Sequence, residues 1–488
     1  MARAMTFLDL GSRHARTLAV GALLAGLTAA ATVGGPNNSA AAATALWSTP
    51  AVLGTCPANE APLVVFPSDS PTHATGPGAI AWDATSECPG GEGARVAALA
   101  GGDVPGPPAM PHTVDGRALR LLGQLAASGG PYGRIMLAGS APASSVQPSG
   151  TSLSQGELIE GSALGPFSAP TSFFVPTGSP APSAPVALAS AYLGDVVLAS
   201  PFYARDSDGI RLLVQRHHAQ AFARSIAVST GASGRIAELA VALDYRSDAL
   251  AVWRQGGAIY ARDLPASGRA RATIQRLGPA VGPSSKIASL LSDDNRGIVA
   301  WSMQSGGETS VYIDLSAGGV RFGTPRLLER FADPTGTALP EDSPRLIRLS
   351  SESVMLAWTG SDGSNWVVRT AAIDLNGLGP VNTISPAGHD AVLAGLAPGP
   401  DGEALALWTE PQRDALGRLE PNRQAIFTAR GIDAYPARTI FGEPEEVAAP
   451  GPSSDPDVAL DPNGGRAVAV WRGEGGQIDY AIRTPSLP

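Results

Sequence analysis

A short apolar run that ends in tryptophan recurs along this chain: Ile80-Ala81-Trp82, Ala251-Val252-Trp253, Val299-Ala300-Trp301, Leu356-Ala357-Trp358, Ala406-Leu407-Trp408 and Ala467-Val468-Ala469-Val470-Trp471. Six of the eight tryptophans thus hold one position of a unit that returns every ~50 residues. Such a unit cannot bury its own apolar face, so the chain must stack copies of it rather than fold as unrelated domains. Apolar alternation at period two dominates, and no window sustains the 3.6-residue period of a helix. The 58 Gly and 43 Pro follow no collagen-like period. They suit many short strands joined by turns, so the fold is expected to be all-β.

The last unit shows the plan most clearly. Val458-Ala459-Leu460 reads as a first strand, Asp461-Pro462-Asn463-Gly464 as a turn, Ala467 to Trp471 as a second strand and Gln477 to Arg483 as a third. Fuller units add a fourth segment, introduced by Phe322-Gly323-Thr324-Pro325 or Phe441-Gly442-Glu443-Pro444. The last unit lacks it, and a matching piece, Trp47-Ser48-Thr49-Pro50 before Ala51-Val52-Leu53, stands near the other end. A closed ring of four-stranded sheets requires this complementarity between termini.

The expectation is therefore a single β-propeller of four-stranded antiparallel blades, closed by the N-terminal strand completing the last blade. Blades fall near 60–112, 115–178, 185–230, 233–280, 285–332, 343–388, 390–449 and 455–485, the last with strand 45–53. That makes eight, or seven if the Ser-, Pro- and Gly-rich stretch 115–178 around Ile135-Met136-Leu137 is an insertion. Ala459 to Gly464 before an apolar strand resembles the NHL-type propeller repeat. Pro400-Asp401-Gly402 before Ala404 to Trp408 is similar to the repeats of TolB-like propellers. The resemblance covers the chain from about residue 185 and implies a propeller, not an activity. The Ser-x-Asp-x-Gly-x-x-Trp box of sialidases is not met, since Trp471 lies seven residues beyond Gly464.

Residues 1–42 read as an export signal: Arg3, Arg13 and Arg16, an apolar stretch from Thr17 to Val33, and small residues at Ala40-Ala41-Ala42. The apolar stretch is short and weakly hydrophobic for a membrane span, and no other is long enough. The protein is thus expected to be secreted or extracytoplasmic. Cys56 and Cys88 are the only cysteines, which in an exported chain reads as one disulfide, worth about 3–4 kcal/mol of loop entropy. Net charge is −9 and basic residues are almost all arginine, Lys286 being the sole lysine. An acidic chain does not neutralise phosphates, so nucleic acid is excluded as a partner.

No linear motif for hydrolase, metalloprotease or nucleotide chemistry is present, and no cofactor is expected. Propeller enzymes that gather groups from several blades leave no such motif. Arg254, Arg472, Glu410 and Glu474 follow second strands and share one face of the ring. The long segment from Glu410 to Arg423, with Arg413 and Arg418, is the first loop of interest, because lengthened loops on a rigid frame carry specificity. The repeated tryptophans are read as core, whereas Trp366, beside Gly-Ser-Asp-Gly, is a surface candidate. Asp206 and Asp208 have the opening of a calcium loop without its distal glutamate. His217-His218 point to opposite faces of a strand and cannot share a metal. The sequence favours a non-enzymatic binding or scaffold module facing a protein or polysaccharide of the cell envelope. The alternative is a secreted glycan hydrolase or lyase with its site at the axial mouth.

Overall fold

The computed structural model describes residues 47–67, 77–100, 104–130, 133–141, 153–176, 186–191, 194–204, 207–215, 224–229, 234–265, 273–280, 286–293, 295–316, 321–332, 334, 343–374, 377–434, 438–462 and 465–484. The expected signal, residues 1–42, lies outside them, as do His217, His218, Asp206, Asp294, Asn463 and Gly464. Among the described residues no helix is long and apolar enough to cross a membrane.

Eight antiparallel sheets follow one another along the chain. Their first strands are Leu63–Val65, Leu122–Gly129, Ala187–Ser190, Ile236–Leu243, Ile287–Leu291, Arg345–Arg348, Val392–Pro398 and Ser454–Leu460, and each of these touches the first strand of the next blade, the eighth touching the first. They line the axis and the later strands of each blade step outward; in blades six and seven the fourth position is filled by two segments, Gly377–Leu378 with Asn382–Thr383 and Arg438–Phe441 with Glu445–Gly451. The N-terminal strand Ala51–Gly54 pairs antiparallel with Ile478–Arg483 as the outer strand of blade eight, with Ala51 opposite Tyr480 and Val52 opposite Asp479. Trp47 bridges to Arg483, and the Ser48 amide donates to the Ile482 carbonyl at 2.8 Å. The fold is an eight-bladed β-propeller sealed by its two ends.

The stretch 115–178 is a blade and not an insertion: its strands Leu122–Gly129, Ile135–Ala141, Leu153–Gly161 and Thr171–Pro176 form a complete sheet. Ile135, Met136 and Leu137 of its second strand are buried although the strand carries no tryptophan. Blade one departs from the four-stranded plan, with only Leu63–Val65, Gly78–Ala84 and Gly93–Leu99 in its sheet. Its outer segment is Val104-Pro105-Gly106-Pro107-Pro108-Ala109, and proline has no N–H for a ladder. Pairing there is reduced to the Val96–Ala109 bridge and the Gly106 amide on the Ala98 carbonyl.

The apolar runs are continuous because second strands are paired on both edges and covered on both faces by neighbouring blades. Gly78–Ala84 and Val354–Ser361 are buried throughout, whereas the outer strand Arg326–Ala332 has no buried residue. Core lies between blades rather than within them. Leu250, Val252 and Ile259 of blade four pack with Ile287, Val299 and Trp301 of blade five. Val468, Val470 and Ile482 of blade eight pack with Ile80, Trp82 and Leu99 of blade one, so the closing interface is built like the rest.

Each repeated tryptophan is buried, and its cross-strand partner is aromatic or ionic. Trp253, Trp301 and Trp408 stack on Tyr260, Tyr312 and Phe427 with centroids 5.9, 5.5 and 6.2 Å apart. Trp358 faces Arg369, and both reach Glu329 of the preceding blade: the indole Nε1 donates to Glu329 Oε2 at 2.8 Å and Arg369 Nε to Oε1 at 3.1 Å. The residue after the tryptophan ties its blade to the next. Asp83 accepts the Gly123 amide at 2.8 Å, Thr359 Oγ1 accepts the Leu393 amide at 3.0 Å, and Ser302 Oγ donates to the Ser343 carbonyl at 3.1 Å.

Candidate functional site

Alternating strand direction gives the ring two faces. On the front face the first strands begin and the second strands end; on the back face the first strands end in tight hairpins. Several of these hairpins are set by a residue that accepts the left-handed conformation. Gly194 (φ 92°), Ser247 (φ 67°), Asn295 (φ 60°) and Gly465 (φ 62°) each follow a turn whose amide returns to the residue that starts it.

All the cationic candidates of the sequence lie on the front face, and those whose contacts are seen serve the frame. Arg472 ends the second strand of blade eight, pairs with Asp455 at 2.5 Å and reaches the Asn59 carbonyl of blade one at 3.4 Å. Arg254 is the penultimate residue of the second strand of blade four, opposite Glu238. The segment after Glu410 is not a free loop. Glu403–Arg413 and Leu419–Ala434 extend as one hairpin whose tip is closed by Asp414, which accepts the Arg418 amide at 2.9 Å and pairs with its guanidinium at 2.7 Å. Arg413 pairs with Asp390 and donates to the Gly417 carbonyl at 2.9 Å. Glu410 is buried at the hairpin base, where Trp408 Nε1 donates to it at 3.2 Å and His389 Nδ1 lies 3.3 Å away. Burial holds the Glu410 carboxyl above its ordinary range, against the opposing pull of Trp408 and His389.

Trp366 corrects the surface expectation. Its indole is 3% exposed, packed with Val392 and against Phe331 and Leu419, because the lengthened hairpin of blade seven covers what would otherwise be a rim position. Asp208 sits on the third strand of blade three, Ser207–Gln215. No group of three or more His, Cys, Asp or Glu that would hold a metal occurs among the described residues. Cys56 and Cys88, expected to be joined as a disulfide, stand instead as two thiols in hydrogen-bonding contact with each other.

The front mouth of the channel is a 480 Å³ cavity lined by Glu60, Lys286, Arg345, Asp455, Asp457 and Arg472 among others. Its charges hold strands to one another. Asp457 accepts the Val64 amide of blade one at 2.9 Å, and Arg345 donates to the Ala394 carbonyl of blade seven at 3.1 Å. Lys286 lies 3.8 Å from Glu238.

The back mouth is the larger cavity, 1110 Å³, built from the first-strand ends of blades two to seven. Its wall is apolar at Leu188, Ala191, Ala242, Leu243, Leu290 and Leu291. Its polar groups include Ser128, Asp244, Tyr245, Arg246, Asp293, Arg348 and Glu352. Asp244 starts the blade-four hairpin, and its Oδ1 accepts the Arg246 and Asp248 amides at 2.9 and 2.8 Å. These bonds present the next two side chains at the rim. Tyr245 is 38% exposed, Arg246 lies over its ring at 5.1 Å, and Arg246 Nε donates to the Tyr245 hydroxyl at 2.6 Å. Arg348 pairs with Asp293 and also donates to the Leu291 carbonyl.

Acidic groups crowd this face. Burial raises the Asp244 carboxyl, with Asp248 and Asp293 adding to the effect. Asp263 and Asp314 lie one residue before the ends of the third strands of blades four and five, and burial lifts both to about 6. Since the folded value lies above the ordinary aspartate value of 3.8, these two groups favour folding most below that value, and their contribution falls as pH rises to about 6. Asp314→Asn is therefore expected to raise the urea midpoint at pH 7, by about 1 kcal/mol in stability, and to leave it nearly unchanged at pH 4. The Gly323 amide retains its acceptor in this variant, because the amide oxygen replaces the Oδ1 that it reaches at 3.2 Å.

Of the back-mouth residues the sequence singles out only Asp293, within Ser292-Asp293-Asp294-Asn295, and reads it as a turn before a strand. The available signal was positional: Asp244, Asp293 and Glu352 lie in corresponding turns, just after the first strands of successive repeats.

No protein-family model matches the chain, and no curated protein does. Among solved structures it is similar to the Dos1 propeller, at 10% identity over 89% of this chain and 95% of that one, with a TM-score of 0.44. It is also similar to a polysaccharide lyase of family PL25, an ulvan lyase bound to -[GlcA(1-4)Rha3S]-, at 11% identity over 89% and 94%, TM-score 0.45. The Trypanosoma rangeli sialidase in complex with sialic acid matches at 10% identity over 77% of this chain and 56% of that chain, TM-score 0.33.

Proposed function

We propose that this chain is an exported binding module that takes a neutral, hydroxyl-rich glycan segment into the back mouth of its propeller. The observation that carries the reading is the convergence of six blades on one 1110 Å³ cavity with an apolar wall and a rim of Tyr245, Arg246, Asp293, Arg348 and Glu352. The exposed Tyr245 ring supplies a flat face for a pyranose, and carboxylates accept hydrogen bonds from sugar hydroxyls. Acidic residues outnumber arginines there and the whole chain carries −9, which disfavours a polyanionic ligand. The start of the chain is read as an export signal, so the partner is a polysaccharide of the cell envelope or its surroundings.

A hydrolase acting at the same mouth is the second reading. It is favoured by the Asp244 carboxyl, raised by burial in the wall of the cavity that also carries Glu352. The acidic rim argues against a lyase, which must neutralise a uronate carboxylate.

The test is a glycan array probed with the wild-type chain, Tyr245→Ala and Glu352→Gln. Binding to neutral glycans is expected, weakened about tenfold by Tyr245→Ala through loss of stacking, with melting temperature unchanged. Wild-type binding confined to polyuronates, or binding indifferent to both substitutions, would sink the proposal. Release of reducing ends from a bound glycan would move the assignment to the hydrolase.

A further inference from the structure

Cys56 lies two residues beyond the closing strand Ala51–Gly54, and Cys88 lies in the blade-one loop between Gly78–Ala84 and Gly93–Leu99. The backbones that carry them are fixed independently of the sulfurs. The Ala58 amide donates to the Gly476 carbonyl of blade eight at 2.9 Å, and the Thr85 amide to the Pro57 carbonyl at 2.9 Å. Ala58 also bridges to Ala84. The Cys88 loop is gathered around the buried Arg95 guanidinium, which donates to the carbonyls of Pro89, Gly91, Gly93 and Ala94 at 2.6–3.3 Å. The segment after the closing strand, held to blade eight, and the adjoining loop of blade one thus deliver the two thiols into hydrogen-bonding contact. The thiols differ in access. Cys56 is partly exposed and lines a 540 Å³ cavity with Val52, Leu53, Trp82 and Pro108, while Cys88 is 5% exposed.

From this placement we infer that Cys56 and Cys88 are a thiol–disulfide latch on the ring closure, with Cys56 the entry thiol and Cys88 the resolving one. The oxidant is a disulfide, either an oxidised dithiol protein or a small-molecule disulfide. The Cys56 thiolate attacks one donor sulfur, forming a mixed disulfide and releasing the first donor thiolate. The Cys88 thiolate then attacks Cys56 Sγ and expels the second. Two protein thiols lose two electrons and two protons, and the donor disulfide becomes two thiols. Burial and the neighbouring Cys56 push the Cys88 thiol up to about 11, which suits a group that reacts only once Cys56 has been engaged. The bond covalently fixes the segment following the closing strand to blade one, the blade beside the sheet that this strand completes.

The experiment uses the purified full chain equilibrated with glutathione disulfide or with dithiothreitol. After oxidation, the intact mass is expected to fall by about 2 Da with no titratable thiol left, and the melting temperature to stand several degrees above that of the reduced chain. Brief alkylation of the reduced chain is expected to label Cys56 at least tenfold faster than Cys88. The C56S/C88S double variant should melt like the reduced wild type and ignore reductant; if it does not fold, the wild-type redox comparison decides alone. Two thiols persisting after oxidation overturn the bond, equal melting in both redox states overturns the latch, and faster labelling of Cys88 overturns the order.

Discussion

Trp301→Ala is expected to lower the unfolding free energy by about 3–5 kcal/mol, the cost of removing a fully buried aromatic side chain and leaving a cavity. Trp301 has no exposed surface, stacks on Tyr312 and packs against the preceding blade, where its Nε1 donates to the Pro279 carbonyl at 3.2 Å. Gly278 of that blade sits against the indole so closely that a Cβ there would lie 2.9 Å from it. The cavity therefore opens between two blades, and neither can collapse into it without shifting the ring. Urea unfolding followed by circular dichroism measures the loss. Tyr245→Ala is the control, since a partly exposed rim residue costs within about 0.5 kcal/mol. Equal effects at the two positions would refute the division between structural and ligand-facing aromatics.

A larger effect is expected from removing residues 1–55. Blade eight then loses its outer strand and Ile478–Arg483 becomes an open edge, a template for association with other chains. The Trp47 side chain goes too, with its 3.1 Å hydrogen bond to Thr428 of blade seven and its place in the core between blades seven and eight. The truncated chain should aggregate or melt far below the intact one. A synthetic peptide of residues 45–55 should restore the intact behaviour by adding back the strand. Truncation without consequence would mean that the ring does not depend on its first strand.

The frame could be read from the sequence wherever one residue type marked a fixed position. Tryptophan at a fixed place in the second strand did so in six blades, because a strand covered on both faces by neighbouring blades admits large apolar side chains. Blade two lacks this marker. Its second strand is buried at Ile135, Met136 and Leu137 but has Gly139 where the register of blade five has Trp301, and only the sheet itself shows that 115–178 is a blade. The missing outer strand of blade one was masked by the assumption of a regular unit, although its prolines argue against a ladder. The back mouth was harder to foresee. Asp244, Asp293 and Glu352 are roughly fifty residues apart and look like turn residues, because locally they are. The front-face arginines were conspicuous instead, yet Arg472, Arg413 and Arg418 are engaged by carboxylates of their own or adjoining loops. A charge after a buried strand serves the frame as readily as a ligand.

Closure is tested most directly by a cross-strand cysteine pair, Val52→Cys with Asp479→Cys, in the C56S/C88S background. The two positions face each other in the antiparallel pairing of first and last strands, a separation that a disulfide spans without backbone travel. Mild oxidation of dilute protein is expected to give an intramolecular bond joining the N-terminal and C-terminal peptides in nearly every molecule. Free thiols, or only intermolecular dimers, would place the two strands apart and contradict the sealed ring.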